Sequence, residues 1–177
     1  MKSLRAGALL LEPQTRCHAA EMFRVLSDPA IYEFENAPPE SVRWLEDRFG
    51  RLESRSSADG SEQWLNWVVR VPTGELAGYV QATLMTQGMA YVAYEFASKF
   101  WRQGVGRSSV NAVLEELSAG YSVRSAVAVL KARNFRSLAL LRNLGFAPDP
   151  APGLASINCQ ADERVMYKPL GLGETVT

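Results

Sequence analysis

Between residues 90 and 117 a β-prone run, a turn with two glycines one residue apart and a helical pattern follow one another directly. Ala90-Tyr91-Val92-Ala93-Tyr94-Glu95-Phe96 is mostly apolar and rich in branched and aromatic side chains, as a buried central strand is. Gly104 and Gly106 lie in the short stretch that follows. Beyond them Val110, Val113, Leu114 and Leu117 recur at i, i+3, i+4 and i+7, one face of a helix that starts near Ser108. A strand that passes through glycines into a helix start is an arrangement for binding a phosphate. The first N–H groups of the helix have no partner, and glycines let an anion approach the backbone closely. Two familiar versions are excluded by their own requirements. The third glycine of a dinucleotide-binding turn is replaced by Ser109, and no Gly-Lys-Ser/Thr closes a P-loop.

Trp101-Arg102-Gln103-Gly104-Val105-Gly106 resembles the pyrophosphate loop of the GNAT N-acetyltransferases, Gln/Arg-x-x-Gly-x-Gly/Ala. Trp101 departs from the first position, where aromatic residues are familiar in the branch resembling ribosomal-protein alanine N-acetyltransferases. About thirty residues on, Asn134-x-x-Ser137-x-x-Leu140-Leu141-x-x-Leu144-Gly145-Phe146 resembles the second family motif, Asn-x-x-Ser-x-x-Leu-x-x-x-x-Gly-Phe. With residues 4–13 and Ser27-Asp28-Pro29, the resemblance covers roughly residues 4–170. It implies an α/β (α+β) fold of the acyl-CoA N-acyltransferase type: a mixed central sheet with a splayed strand pair, flanked by helices.

The order of elements agrees. Residues 4–11 read as a first strand, residues 18–26 and 41–53 as two helices, and Ser27-Asp28-Pro29 stops the first of them. Trp64 to Val71 and Leu76 to Met85 read as paired strands around a turn at Pro72-Thr73-Gly74-Glu75, and Gln87-Gly88 turns the chain into the central strand. Gly120-Tyr121 marks a helix stop. Residues 125–130 form a short apolar run, Asn134 caps a helix running to Leu144, Gly145 ends it, and residues 164–170 close the sheet. At 177 residues, with no linker or repeat, residues 1–177 are expected to form a single domain.

Nineteen basic and nineteen acidic side chains cancel, which argues against a broad nucleic-acid footprint. Cys17, Cys159 and the single His18 form no ligand pattern, so no metal site is expected. The apolar run after Met1-Lys2-Ser3-Leu4-Arg5 is six residues long, shorter than a usual signal-peptide core, and no run is long enough to span a membrane. The expectation is a cytoplasmic protein, monomer or homodimer, with neither nucleic acid nor membrane as partner.

The resemblance implies acetyl-CoA as cosubstrate and acetylation of a primary amine, either a protein or peptide N-terminus or a small molecule such as an amino acid, polyamine or aminoglycoside. N–H groups of Gln103, Gly104, Val105, Gly106 and Arg107 would hold the pyrophosphate, with Arg102 and Arg107 adding charge. Backbone groups of Phe96 and Ala97 would pair with the pantetheine arm, and Asn134 would bond it from the next strand. Leu141 stands where many relatives carry a tyrosine acid, so the proton donor expected for the thiolate is Ser137. No carboxylate lies on the strand before Asn134. Glu95 is the nearest base or amine-binding group, although its face is left open by the alternation of Tyr94 and Phe96 around it. Glu33 and Glu35 are comparable candidates, and transfer through an ordered water is a further route. Tyr32, Glu33, Phe34 and Glu35 interleave aromatics with carboxylates and are expected to form the acceptor wall. Two other readings remain at this point: a non-catalytic acyl-CoA-binding module, and an adaptor using only the fold, since fold does not fix function.

Overall fold

Residues 4–11, expected as one strand, form a hairpin in the computed structural model, which describes residues 1–85, 88–148 and 159–171. Strand β1 (Leu4–Ala6) turns at Gly7, φ 62°, into β2 (Leu9–Pro13), with Leu4 opposite Leu11. A left-handed glycine breaks a stretch whose apolar content alone reads as continuous. Helix α1 (Ala19–Leu26) buries Ala19, Met22, Val25 and Leu26. It is followed by a 3-10 turn, Pro29–Tyr32, capped by Asp28. Helix α2 (Val42–Leu52) starts at Ser41, whose hydroxyl accepts the Trp44 N–H at 3.1 Å, and buries Leu45 and Phe49.

Strands β3 (Gln63–Arg70), β4 (Leu76–Met85) and β5 (Met89–Phe96) form the expected antiparallel meander. Of the turn between the last two, Gln87 lies outside the described residues, and Gly88 has φ 74°. Helix α3 (Val105–Tyr121) begins three residues before Ser108, because Gly104 at φ 81° supplies its N-cap. It runs through Gly120, and the chain leaves it at Ser122, φ 54°. Strand β6 (Ser125–Lys131), helix α4 (Phe135–Asn143) behind its Asn134 cap, and strands β7 (Ala147–Pro148) and β8 (Glu163–Pro169) complete the described elements.

The eight strands form one mixed sheet in the order β1-β2-β3-β4-β5-β6-β8-β7, parallel only between β5 and β6. Its two faces carry separate cores. Trp67, Val69, Val110, Val113 and Leu117 belong to the α3 side, and Met22, Leu26, Leu45, Phe49 and Val68 to the α1–α2 side. Because β3 is covered on both faces, Leu65 to Val69 are all buried.

The central strands pair only at their beginnings. Met89, Ala90 and Tyr91 meet Ser125, Ala126 and Val127, after which β5 and β6 run on unpaired to each other. Each is held by its outer neighbour instead, β5 by β4 through Phe96 and β6 by β8 through Lys131. A wedge-shaped gap in the sheet is the result.

Gly78 stands opposite Phe96 at the far end of β5, where the two backbones approach so closely that a Cβ would lie 2.1 Å from the Glu95 carbonyl oxygen. Gly78→Ala must therefore push β5 off β4. A destabilisation of about 2 kcal/mol or more is expected, read as a lowered urea midpoint at unchanged slope.

Candidate active site

The glycine loop is tied down before it reaches its glycines. The Ala97 N–H donates to the Ala77 carbonyl at 2.9 Å and the Ser98 N–H to Asp28 Oδ2 at 2.7 Å. Trp101, the departure from the family pattern, has a structural role. Its indole Nε1–H donates to the Phe96 carbonyl at 2.7 Å and folds the loop back on the strand. Arg102 at φ 60° and Gly104 at φ 81° then reverse the chain, and Gln103 Nε2 donates to the Lys99 carbonyl at 2.6 Å. No side chain caps α3, and its first turn closes with the Ser108 N–H on the Gly104 carbonyl at 2.9 Å. Val105, Gly106 and Arg107 thus present N–H groups at the positive end of a helix seventeen residues long.

The two glycines have different reasons to be glycine. A Cβ on Gly104 would meet no atom within 4 Å, so that side of the loop faces open space. A Cβ on Gly106 would lie 3.3 Å from Leu140 Cδ2 and 3.5 Å from the Phe96 ring, so there the helix packs closely on α4 and β5. Among the described residues, the side chains of Arg102 and Arg107 form no ion pair.

The gap continues from this loop. Since Ala97 turns its N–H to β4, alternation turns Glu95 and Ala93 the same way and leaves the backbone of Val92, Tyr94 and Phe96 facing the gap. Of the Phe96–Ala97 pair expected to meet the pantetheine arm, the Ala97 N–H is engaged with β4 and the Phe96 carbonyl with Trp101. The groups of this edge that face the gap without such ties are the Phe96 N–H and the backbone of Tyr94. Across the gap, Asn134 Oδ1 accepts the Ser137 N–H at 3.1 Å, and its Nδ2 donates to Glu35 at 3.2 Å. The Ser137 hydroxyl neighbours the phenol of Tyr94, whose oxygen is buried and closes no hydrogen bond of normal geometry. Burial pushes that phenol up to about 12, so it stays protonated. Leu141 is buried in the core and leaves no hydroxyl where many relatives carry one.

Glu95 lies on the other face. Directly opposite it in the β4–β5 register is Tyr79, and both belong to the α1–α2 side, whereas Tyr94 and Phe96 point toward α3. Glu95 accepts from Asn36 Nδ2 at 3.3 Å and sits at a cavity of about 280 Å³ beneath α2, with Tyr32, Arg48 and Gln81 also in its wall. Burial raises its carboxyl above the usual range, against the pull of Tyr79, Asn36 and Arg48. Burial and the neighbouring carboxylate also push the Tyr79 phenol well above its ordinary value. Ser137 and Glu95 are thus not brought into contact. They flank the gap from opposite faces of the sheet.

The acceptor wall expected from residues 32–35 is rearranged. Tyr32 does line the cavity, with its hydroxyl donating to the Leu26 carbonyl at 2.9 Å. Glu33, Phe34 and Glu35 reach instead across the mouth of the gap to the start of α4. Glu33 pairs with Arg136, Glu35 accepts from Asn134, and the Phe34 carbonyl accepts from Arg133 at 3.1 Å. The Phe34 ring meets Phe135 edge-on at 5.4 Å, and the Arg136 guanidinium lies 4.6 Å from the centre of the Trp101 ring. Residues 33–36 are therefore a strap from β5 to α4, and the carboxylates expected to receive an amine are engaged in holding it. Tyr79, Tyr94, Asn36 and Arg136 escaped notice in the sequence. Only strand register and long-range pairing mark them, apart from the period-2 placement of Tyr94 in its strand.

An uncapped helix start beside an open glycine, running into a gap between parallel strands, is a place for an extended, pyrophosphate-bearing cosubstrate. Residues 8–147 match the family model of the acetyltransferase (GNAT) domain. The chain belongs to the GNAT acetyltransferase family. Among curated proteins nothing matches it. Solved structures share the GNAT fold at low identity. A ribosomal-protein-alanine acetyltransferase from Vibrio fischeri superimposes with a TM-score of 0.74 at 17% identity, covering 95% of this chain and 96% of that one. RimL, a ribosomal alpha-N-protein acetyltransferase in complex with coenzyme A, gives 0.78 at 15% identity, with 96% and 99% covered. The spermidine N-acetyltransferase from Vibrio cholerae, in complex with CoA and spermine, gives 0.72 at 18%, with 92% and 96% covered.

For a GNAT loop of this geometry Gly104→Asp should abolish acetyl-CoA binding. It puts a negative side chain into the open space at the helix start, on a backbone of φ 81°. Calorimetric titration at unchanged circular dichroism is the check, and wild-type affinity would remove the loop from the binding site.

Proposed function

We propose that the protein transfers the acetyl group of acetyl-CoA to a primary amine by direct attack, with the cosubstrate entering along α3 and the amine from the cavity under α2. The observation that carries this reading is the gap between β5 and β6, with an uncapped helix start beside it and, on the α1–α2 face, a cavity lined by the half-buried carboxylate of Glu95. Acetyl-CoA supplies a thioester carbonyl already activated toward nitrogen.

The chain's own residues do the rest. N–H groups of Val105, Gly106 and Arg107 fix the pyrophosphate, with Gln103 and Gly104 shaping the loop and Arg102 and Arg107 adding charge. Glu95 attracts the incoming ammonium and then takes a proton from it. Its raised affinity for protons makes it a better base than an ordinary carboxylate. As the nitrogen–carbon bond forms and the carbon–sulfur bond breaks, the Ser137 hydroxyl bonds the departing sulfur and passes it the second nitrogen proton. Asn134 holds the first turn of α4, and with it Ser137, against the strap. The same reading makes residues 1–177 one cytoplasmic domain, monomeric or homodimeric, with no metal, membrane or nucleic acid. Formal neutrality and the two free thiols support it. No helix among the described residues is long and apolar enough to cross a membrane.

The experiment is thiol release from acetyl-CoA in the presence of N-terminal peptides and small amines. Turnover with any of them supports transfer. Tight acetyl-CoA binding without turnover across the panel supports a binding module instead.

Ser137→Ala should lower kcat by ~100-fold or more while leaving acetyl-CoA affinity nearly unchanged. A wild-type kcat at saturation would make the hydroxyl merely structural.

Glu95 predicts a pH dependence with a definite sign. A carboxyl raised by burial loses its base form on descent through a pH higher than an ordinary glutamate's 4.5, so the acid limb of kcat/KM should fall above that value. Glu95→Gln should both slow the reaction and flatten that limb. An unchanged profile would assign proton removal to another group.

A further inference from the structure

The polar side chains that the strands turn to the cavity under α2 form two neighbouring groups. Glu95 and Tyr79 form one. In the other, Gln81 stands opposite Asn66 in the register, and the Gln14 N–H donates to the Asn66 carbonyl at 2.8 Å. Strands β3 and β4 and the residue that follows β2 thus place Gln14, Asn66 and Gln81 side by side. Gln14 is 2% exposed and lines the cavity, and its Nε2 has no hydrogen-bond partner. The Asn66 Nδ2 behind it is buried and equally unpartnered. A buried amide donor left without an acceptor is costly, so a ligand that supplies one gains by it. The Gln14 amide thus offers the cavity a free donor.

Arg48 supplies charge of the matching sign. It lines the cavity from α2, and the contact its guanidinium makes among the described residues is with the Trp44 ring, 5.7 Å from the centroid. Its charge is felt by both Glu95 and Tyr79. The lining thus contains one carboxylate, Glu95, and one cation, Arg48. Glu33 and Glu35, which would have made the region acidic enough for a polycation, are turned away to Arg136 and Asn134.

Resting on the transferase reading above, we propose that the acceptor is an amine that also carries a carboxylate, its ammonium taken by Glu95 and its carboxylate by Arg48 with the Gln14 amide. An amino acid and a short acidic peptide share this chemistry. A polyamine does not, because its second cation would face Arg48 and the orphaned amide donors.

The test uses the full chain with acetyl-CoA. β-Alanine, glutamate and the tripeptide alanyl-alanyl-glutamate are each compared with the corresponding carboxamide, with spermidine as the polycation. At least one acid should exceed its carboxamide in kcat/KM by about tenfold, the scale of one charge-assisted hydrogen bond. Arg48→Gln should erase most of that ratio by raising KM for the acid, and Arg48→Lys should restore part of it. A preference confined to the free amino acids supports a small-molecule acceptor, and one confined to the tripeptide supports a protein terminus. Equal rates for acid and carboxamide, a ratio untouched by Arg48→Gln, or preference for spermidine would overturn the proposal and leave the transferase reading standing. No turnover of any amine, with acetyl-CoA binding intact, would remove both.

Discussion

The site depends on a failure of pairing. A sheet strand normally satisfies both of its edges, yet β5 and β6 share only three residue pairs before they part. They can do so because each is zipped along its length to a different partner, β4 on one side and β8 on the other. The cost of unpaired backbone edges is offset on the outer sides, and what remains is a slot with exposed N–H and carbonyl groups. Such a slot fits a long, amide-bearing chain.

Around it, the molecule uses its polar groups first to hold itself. Asp28 fixes the start of the glycine loop, Trp101 closes the loop onto β5, and residues 33–36 bind β5 to α4 across the mouth. These ties place the uncapped start of α3 at one end of the slot. A small number of groups take no part in holding the fold. Among the described residues they include the N–H groups of the first turn of α3, the Tyr94 phenol and the amide donors of Gln14 and Asn66. Buried donors are as a rule satisfied, so those that line the gap or the cavity are where a ligand's acceptors would be received.

The placing of Glu95 and Ser137 on opposite faces has a chemical consequence. In the proposed transfer the two protons that must leave the nitrogen would do so in different directions, one toward the cavity and one toward the sulfur. A single residue need not serve both, and the environments differ accordingly: Glu95 is made more basic by burial, while Ser137 sits beside a phenol that stays protonated.

Much of this was legible in the chain. The strand, the glycine loop, the α3 stripe, the Asn134 cap and the left-handed Gly145 could all be read because each depends on residues within a few positions. The family was legible for the same reason, since its two motifs are local. Other features rest on partners remote in sequence. The face of Glu95 was set by its register with Tyr79. Residues 33–35 looked like an acceptor wall, but their side chains are claimed by partners about a hundred residues away, as Glu33 is by Arg136, 103 positions on. A carboxylate's spacing tells what chemistry it can perform. Which group it meets first is decided by tertiary contacts, because hydrogen bonds and ion pairs go to the nearest partner in space and not in sequence.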